Sequence, residues 1–256
     1  MLCKKMVRKI FKCSDELISK ISLRIGDNSI YKKDDIFFPI ISSALYHHTI
    51  EAVSRFGLLK GKKIPSPDVV LRRLKEKDWK ETVNEFNQIT KYQFFSVRGY
   101  IGERKYFDVS IDENRIMRYC KKTKGIRKQL DRKRLIKGKA KNGTHYAHVT
   151  ISLSIIGLKH GKFTLSTLPK TNKKKTVVIV NQLIYNAKKI IKIRTVYLDI
   201  GFFIGQIIVS LDDSGIKYII HAPMNKKIKK KLKKFKKTGK SYGIFPIHVG
   251  KIKAKT

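Results

Sequence analysis

Residues Thr195 to Pro223 read TVYLDIGFFIGQIIVSLDDSGIKYIIHAP. Val196, Tyr197 and Leu198 are an apolar run of strand formers with Asp199 at its end. Gly201 allows a turn, an amphipathic segment follows through Leu211, and Asp212 to Gly215 breaks it. Tyr218 to Ile220 then reads as a second buried strand, so the whole stretch is strand, helix, strand. A carboxylate at the carboxyl end of a buried strand is where open α/β sheets place their chemistry. A strand-end Asp can equally cap the helix that follows it. The residues alone leave both roles open for Asp199.

Working outward, a period-two strand precedes this unit. In THYAHVTISLSII, Ala147, Val149, Ile151, Leu153 and Ile155 take one face, and Tyr146, His148, Thr150, Ser152 and Ser154 the other. Gly157 to Gly161 marks a turn, and KFTLSTLP is the hairpin partner. Val180, Leu183, Ile184, Ala187 and Ile191 then have helical spacing. Earlier, Phe94, Phe95 and Val97 are strand formers in a stretch, Tyr92 to Tyr119, that reads as β structure. Within it, KYFDVSID is a strand that ends on Asp112. Antiparallel strands leading into an α-β-α-β unit predict a mixed α/β sheet with flanking helices, the layout of an RNase-H-like domain.

The amino-terminal third reads as helical. Asp15 to Ile25 is expected to form one helix, and the segment from Asp34 a helix interrupted near Pro39. Ser66 is a good N-cap with Pro67 at the first helical position, and Val70, Leu71 and Leu74 are its expected buried side. Asp78, with Glu81 three residues on, has the pattern of a capping box, and Val83, Phe86 and Ile89 continue that helix's apolar face. Residues 1–91 are therefore expected to be a helical region and 92–256 the α/β domain. The helices would suit either a DNA-reading unit, with Arg72 and Arg73 as contacts, or a plain bundle.

Lys and Arg number 59 against 19 Asp and Glu, a formal net charge of +40 over 256 residues. A chain so charged repels itself without a polyanionic partner, and nucleic acid is the first candidate. An anionic membrane surface is the other. Residues 121–143 carry eleven basic residues against Asp131 alone. That run is a solvated loop or a set of phosphate contacts, of which Lys133, Arg134, Lys137 and Lys139 are candidates. A lysine block, NKKIKKKLKKFKKTGK, has Ile228, Leu232 and Phe235 at helix-compatible spacing and adds Lys230 and Lys234. A last strand pair, SYGIFPIHVGKIK, is expected to close the chain. The sequence has no apolar run long enough for a membrane helix and no signal-peptide pattern, so a soluble, cytoplasmic protein is expected. Cys3, Cys13 and Cys120 lack the spacing of a zinc site or disulfide framework. His145 and His148 fall on opposite faces of a strand and do not form a metal pair.

Two acids thus end strands, Asp112 and Asp199. If their strands are neighbours, the carboxylates converge, and a pair of hard oxygen donors in a basic groove suits Mg²⁺ or Mn²⁺ with substrate phosphate.

At these residues the chain resembles archaeal insertion-sequence transposases of the DDE type. VYLDIGFFIGQIIVSLDDSGIKYIIHAP resembles the family's second-Asp block and VSIDENRI its first. GTHYAHVTISLSIIGLKHGKFTLSTLP resembles the hairpin between them, and IPSPDVVLRRLKEKDWKETVNEFNQ the helical segment before the catalytic domain. The resemblance covers about residues 64 to 250. It implies an RNase-H-like fold, metal-dependent cleavage and joining of transposon-end DNA, and Asp112 and Asp199 as the first two metal-binding acids of a triad. It also implies a homodimer or a full-length transposase as partner. Ile200 stands where the family has Arg, and no Glu follows Glu113, so the family's third acid is missing. The expectation is a chain truncated at its carboxyl end and impaired in catalysis. The alternative is a non-enzymatic DNA-binding protein or inhibitor derived from a transposase.

Overall fold

The computed structural model describes residues 4–59, 61, 63–101, 104–119, 135–141, 144–159, 161–172, 174–224, 226–237 and 239. The chain divides into two compact units, Met1–Ile89 and Thr90–Thr256.

The first unit is helical. α1 spans Lys4–Ser19, α2 Lys33–Tyr46, α3 Ile50–Leu59, α4 Pro67–Lys75, and α5 begins at Trp79 and runs to Ile101. α1 stops at Ser19, short of the expected Ile25. Ser22 instead turns its backbone N–H and hydroxyl to Glu85, a carboxylate that also pairs with Lys77. α2 runs through Pro39, whose ring is buried. The break falls at His47, in the left-handed region with φ 55°, where the His48 N–H closes the helix onto the Ser43 carbonyl. The Ser66 cap is present, its hydroxyl accepting from the Val69 N–H. Asp78 caps α5 by accepting from the N–H groups of Lys80 and Glu81. The Glu81 side chain takes the Ser22 hydroxyl. Val70 and Ile89 are buried as expected, whereas Leu71 and Phe86 face solvent.

The largest departure from the sequence expectation is α5. Phe94, Phe95 and Val97 lie on this helix, not on a strand. Phe94 is fully buried, with edge-on contacts to Phe95 and Phe107 and a tilted contact to Phe163. Aromatic strand propensity is a weak preference, and burial of one large ring against a sheet overrides it.

In the second unit, β1 spans Tyr106–Tyr119, β2 Ile136–Lys141, β3 Thr144–Leu158, β4 Gly161–Lys170, β5 Lys192–Leu198 and β6 Lys217–Ile220. The sheet order is β2-β3-β1-β5-β6, and β4 also pairs with β3. β1–β3, β2–β3 and β3–β4 are antiparallel. β1–β5 and β5–β6 are parallel. The long path β4-β3-β1-β5-β6 is the mixed sheet expected of an RNase-H-like domain. Helix α6, Thr176–Lys188, crosses from β4 to β5, and α7, Gly205–Asp213, from β5 to β6. The second is the crossover that a parallel neighbouring pair requires. α8, Lys226–Lys236, follows β6.

The alternation seen in the sequence of β3 sets the sheet's two faces. Ala147, Val149, Ile151, Leu153 and Ile155 are buried, as are Phe107, Val109 and Ile111 beside them and Val196 and Leu198 on β5. Helix α6 lays Ile179, Val180, Leu183, Ile184 and Ala187 into the same core. Each such Val, Leu, Ile or Phe side chain contributes about 1.5–3 kcal/mol. The β3–β4 turn uses Gly157 and Gly161, with φ of 72° and 115°, conformations that favour glycine. Among the described residues β6 is the last strand of the sheet, with Ile219 exposed, not the fully buried strand its apolar run suggests. The expected strand pair SYGIFPIHVGKIK and residues 120–134 lie outside the described residues.

Candidate functional site

β1 does not end at Asp112. It continues to Tyr119, because β3 pairs with it along that whole length, and Asp112 faces Ser152. What ends at this level is the other neighbour. β5 pairs with β1 up to Ile111↔Leu198, so the next residue on each strand is Asp112 and Asp199. In a parallel pair, level residues point to the same face, and adjacent strands lie about 4.8 Å apart. Both acids line one cleft of about 440 Å³ together with Ser110, Tyr197 and His221.

The two carboxylates are held alike. Asp112 Oδ1 accepts the N–H of Glu113 at 2.8 Å, and Asp199 Oδ1 accepts the N–H of Ile200 at 2.6 Å. Asp199 thereby caps a short 3₁₀ turn, Ile200–Phe202, pinned by the buried Phe202. The cap occupies one oxygen; among the described residues the second oxygen of each acid makes no hydrogen bond. Two oriented hard oxygens suit a divalent cation that keeps phosphate and water as its other ligands. Among the described residues, no group of three or more His, Cys, Asp or Glu side chains could hold a metal ion.

The acids next to these two are already committed. Glu113 points to the opposite face and binds Lys170 at 2.7 Å and Arg115 at 2.6 Å. Burial alone would push its carboxyl up, but the two cations outweigh burial and hold it below the usual value. Asp108, four residues before Asp112 on the same face, accepts a forked pair from Arg194, with Nε to Oδ1 at 2.8 Å. Arg194 is the extra residue where the β1–β5 register shifts between Phe107 and Asp108. Its hydrogen bonds are the main reason the Asp108 carboxyl lies low.

The candidate nucleic-acid residues fall in several places. Arg72 is exposed on α4, while Arg73 is half-buried and pairs with Glu76 at 3.4 Å. Lys230 and Lys234 are exposed on α8, whose residue Ile228 is buried. From 226 to 237 that segment holds nine lysines and no acid. Lys137 and Lys139 lie on β2, so part of the expected loop is a strand; their side chains, with Lys133 and Arg134, are outside the described residues. A second cavity of about 490 Å³, in the first unit, is lined by Phe38, Phe56, Ile64 and other residues, none of them a carboxylate. It offers no carboxylate pair to hold a metal ion.

His221 was missed by the motif reading. It follows the run KYII as Asp199 follows TVYL, and that shared pattern, a polar residue directly after a short apolar strand, is the signal that could have found it.

No family model and no curated protein matches the chain. Among solved structures it is distantly similar to the piggyBac transposase in a cryo-EM synaptic complex with hairpin DNA. The TM-score is 0.46 at 16% identity, covering 88% of this chain and 53% of that one. It is also similar to the Drosophila P element transposase in a strand transfer complex, with a TM-score of 0.39 at 13% identity, covering 84% and 48%. The chain spans about half the length of these two transposases.

Proposed function

We propose that the chain is a DNA-processing protein of the DDE transposase type. In this reading Asp112 and Asp199 hold Mg²⁺ or Mn²⁺ at the scissile phosphate of a transposon end. The observation that carries it is the β1–β5 register, which sets two carboxylates level in one cleft of a strongly cationic chain. When bound there, a divalent ion neutralises charge at the phosphate and acidifies the attacking hydroxyl. The chain's own part is to orient. The backbone N–H groups of Glu113 and Ile200 fix the two carboxylates, and the lysines of α8 draw in the phosphate backbone by counterion release. An attacking water or 3′-hydroxyl would form a bond to phosphorus and lose its proton to solvent, while the bond to the leaving oxygen of the DNA strand breaks and that oxygen takes up a proton from solvent. DNA ends and a second transposase copy are the partners this reading implies.

The test is nicking of duplex DNA carrying candidate terminal repeats, with Mn²⁺ and with EDTA. Metal-dependent nicking that Asp112→Asn and Asp199→Asn each abolish is the expected result.

A second reading is a non-enzymatic DNA-binding protein that occupies the ends used by an active relative. The presence of two acids without a third metal-binding group, among the described residues, favours it. It predicts salt-sensitive DNA binding that is indifferent to Asp112→Asn and no nicking under any metal.

A further inference from the structure

β6 continues the row that β1 and β5 begin. Its last pair with β5 is Leu198↔Ile220, and the His221 N–H carries the ladder one step further by donating to the Leu198 carbonyl at 3.2 Å. The residue level with Asp199 on β6 is therefore His221. Tyr197 is level with Ile219, so His221 shares the face of Asp199, and through it that of Asp112. Asp112, Asp199 and His221 stand side by side across three adjacent strands, and all three line the same cleft. His221 is exposed and free to meet a ligand.

The row differs from a three-ligand metal site, because no three such groups can share one ion among the described residues. His221 also leads directly to the basic helix, since α8 begins at Lys226, five residues on. In the chain, His221 thus stands between the strand β6 and a run of cations. An imidazole keeps an N–H donor in both its neutral and its protonated form.

We infer that His221 is a catalytic residue whose imidazole N–H contacts a non-bridging oxygen of the phosphate bound at Asp112 and Asp199. This rests on the phosphoryl-transfer reading for its chemistry and on the three-strand register for its position. The contact holds the phosphate in the plane of the strand tips and passes the flanking strand on to α8. A hydrogen bond to a charged phosphate, made as charge shifts at phosphorus, is worth about 10- to 100-fold in rate.

The experiment has two arms on the full chain. In the first, histidine-¹⁵N-labelled protein is titrated with a 5′-phosphorylated DNA duplex in MgCl₂, and the His221 signal is assigned by its loss in His221→Gln. Movement of that signal at saturation is expected; an unmoved signal overturns the proposal. In the second, His221→Ala is expected to slow Mn²⁺-dependent nicking about 10-fold or more at saturating DNA. Its DNA affinity should stay within about twofold of wild type, because the lysines dominate binding, and His221→Gln should recover part of the rate. Normal nicking by His221→Ala, alongside inactive Asp112→Asn, overturns the His221 role and leaves the phosphoryl-transfer reading intact. A moved His221 signal in a chain with no metal-dependent nicking overturns the phosphoryl-transfer reading and the catalytic role with it, and leaves His221 as a phosphate contact alone.

Discussion

The two ends of the β1–β5 pair hold acids on the same face, four residues apart on β1, and treat them in opposite ways. At one end Asp108 meets Arg194, an arginine supplied by a register shift, and the pair closes as a forked ion pair. At the other, Asp112 stands level with Asp199, one acid beside another, and among the described residues each keeps an oxygen uncommitted. An acid matched with a cation locks the strands together; an acid level with another acid leaves room for a cation from outside the chain. The difference separates a structural carboxylate from a candidate ligand without reference to any relative. It also explains why Glu113, adjacent to Asp112 but fastened by Lys170 and Arg115, belongs with Asp108.

The sharpest way to break this contrast is to remove one acid at each end. Asp112→Asn should lower metal-dependent nicking about 100-fold or more, since metal stabilisation of phosphoryl transfer is worth several kcal/mol. It should leave folding stability within about 0.5 kcal/mol, as for other exposed sites. Asp108→Asn should keep the nicking activity. Equal losses from both would erase the distinction.

Next in size is a change that strikes both ends together. Phe94→Ala removes a fully buried ring that packs on Phe107 at the start of β1. A stability loss of about 3–5 kcal/mol is expected by urea unfolding. A loss below about 1 kcal/mol would mean that the α5 contact does not secure β1.

Lys230→Gln combined with Lys234→Gln tests whether the cation-rich helix serves the acid-acid end. The slope of log affinity for DNA against log salt should fall by about 2, at ~0.9 per phosphate contact. An unchanged slope would place the DNA track elsewhere.

The smallest effect concerns pH. The Asp108 carboxyl in the folded chain lies below its ordinary value of 3.8 because Arg194 binds the charged form. The unfolded chain therefore binds the proton more readily. The pair's stabilisation is fully present above about pH 4 and is lost as pH falls through the folded value. Asp108→Asn should lower the urea midpoint slightly at pH 7, and the gap from wild type should narrow by pH 3. A gap that widened on acidification would have the wrong sign.

Much of this architecture was legible because it rests on local periodicity. The alternation of β3, the helical spacing of Val180 to Ala187 and the strand-turn-helix around Asp199 each follow from a single segment. What escaped depends on partners distant in the chain. Phe94 reads as a strand former until Phe107 and Phe163 surround it. β1 runs past Asp112 because β3 lies alongside, and no residue in ENRIMRY announces that. The Arg194 shift and the place of His221 are properties of register, which a single strand's pattern cannot encode. Asp112 and Asp199 could be named from their strands; that they stand level is set by the pairing between them.

The most direct measurement is Mn²⁺ binding to the full chain by electron paramagnetic resonance, for wild type, Asp112→Asn, Asp199→Asn and the double variant, in the presence of a duplex oligonucleotide. One shared site predicts that either single substitution removes the bound Mn²⁺ signal and that the double variant loses nothing further. Full retention of bound Mn²⁺ in both single variants would contradict it.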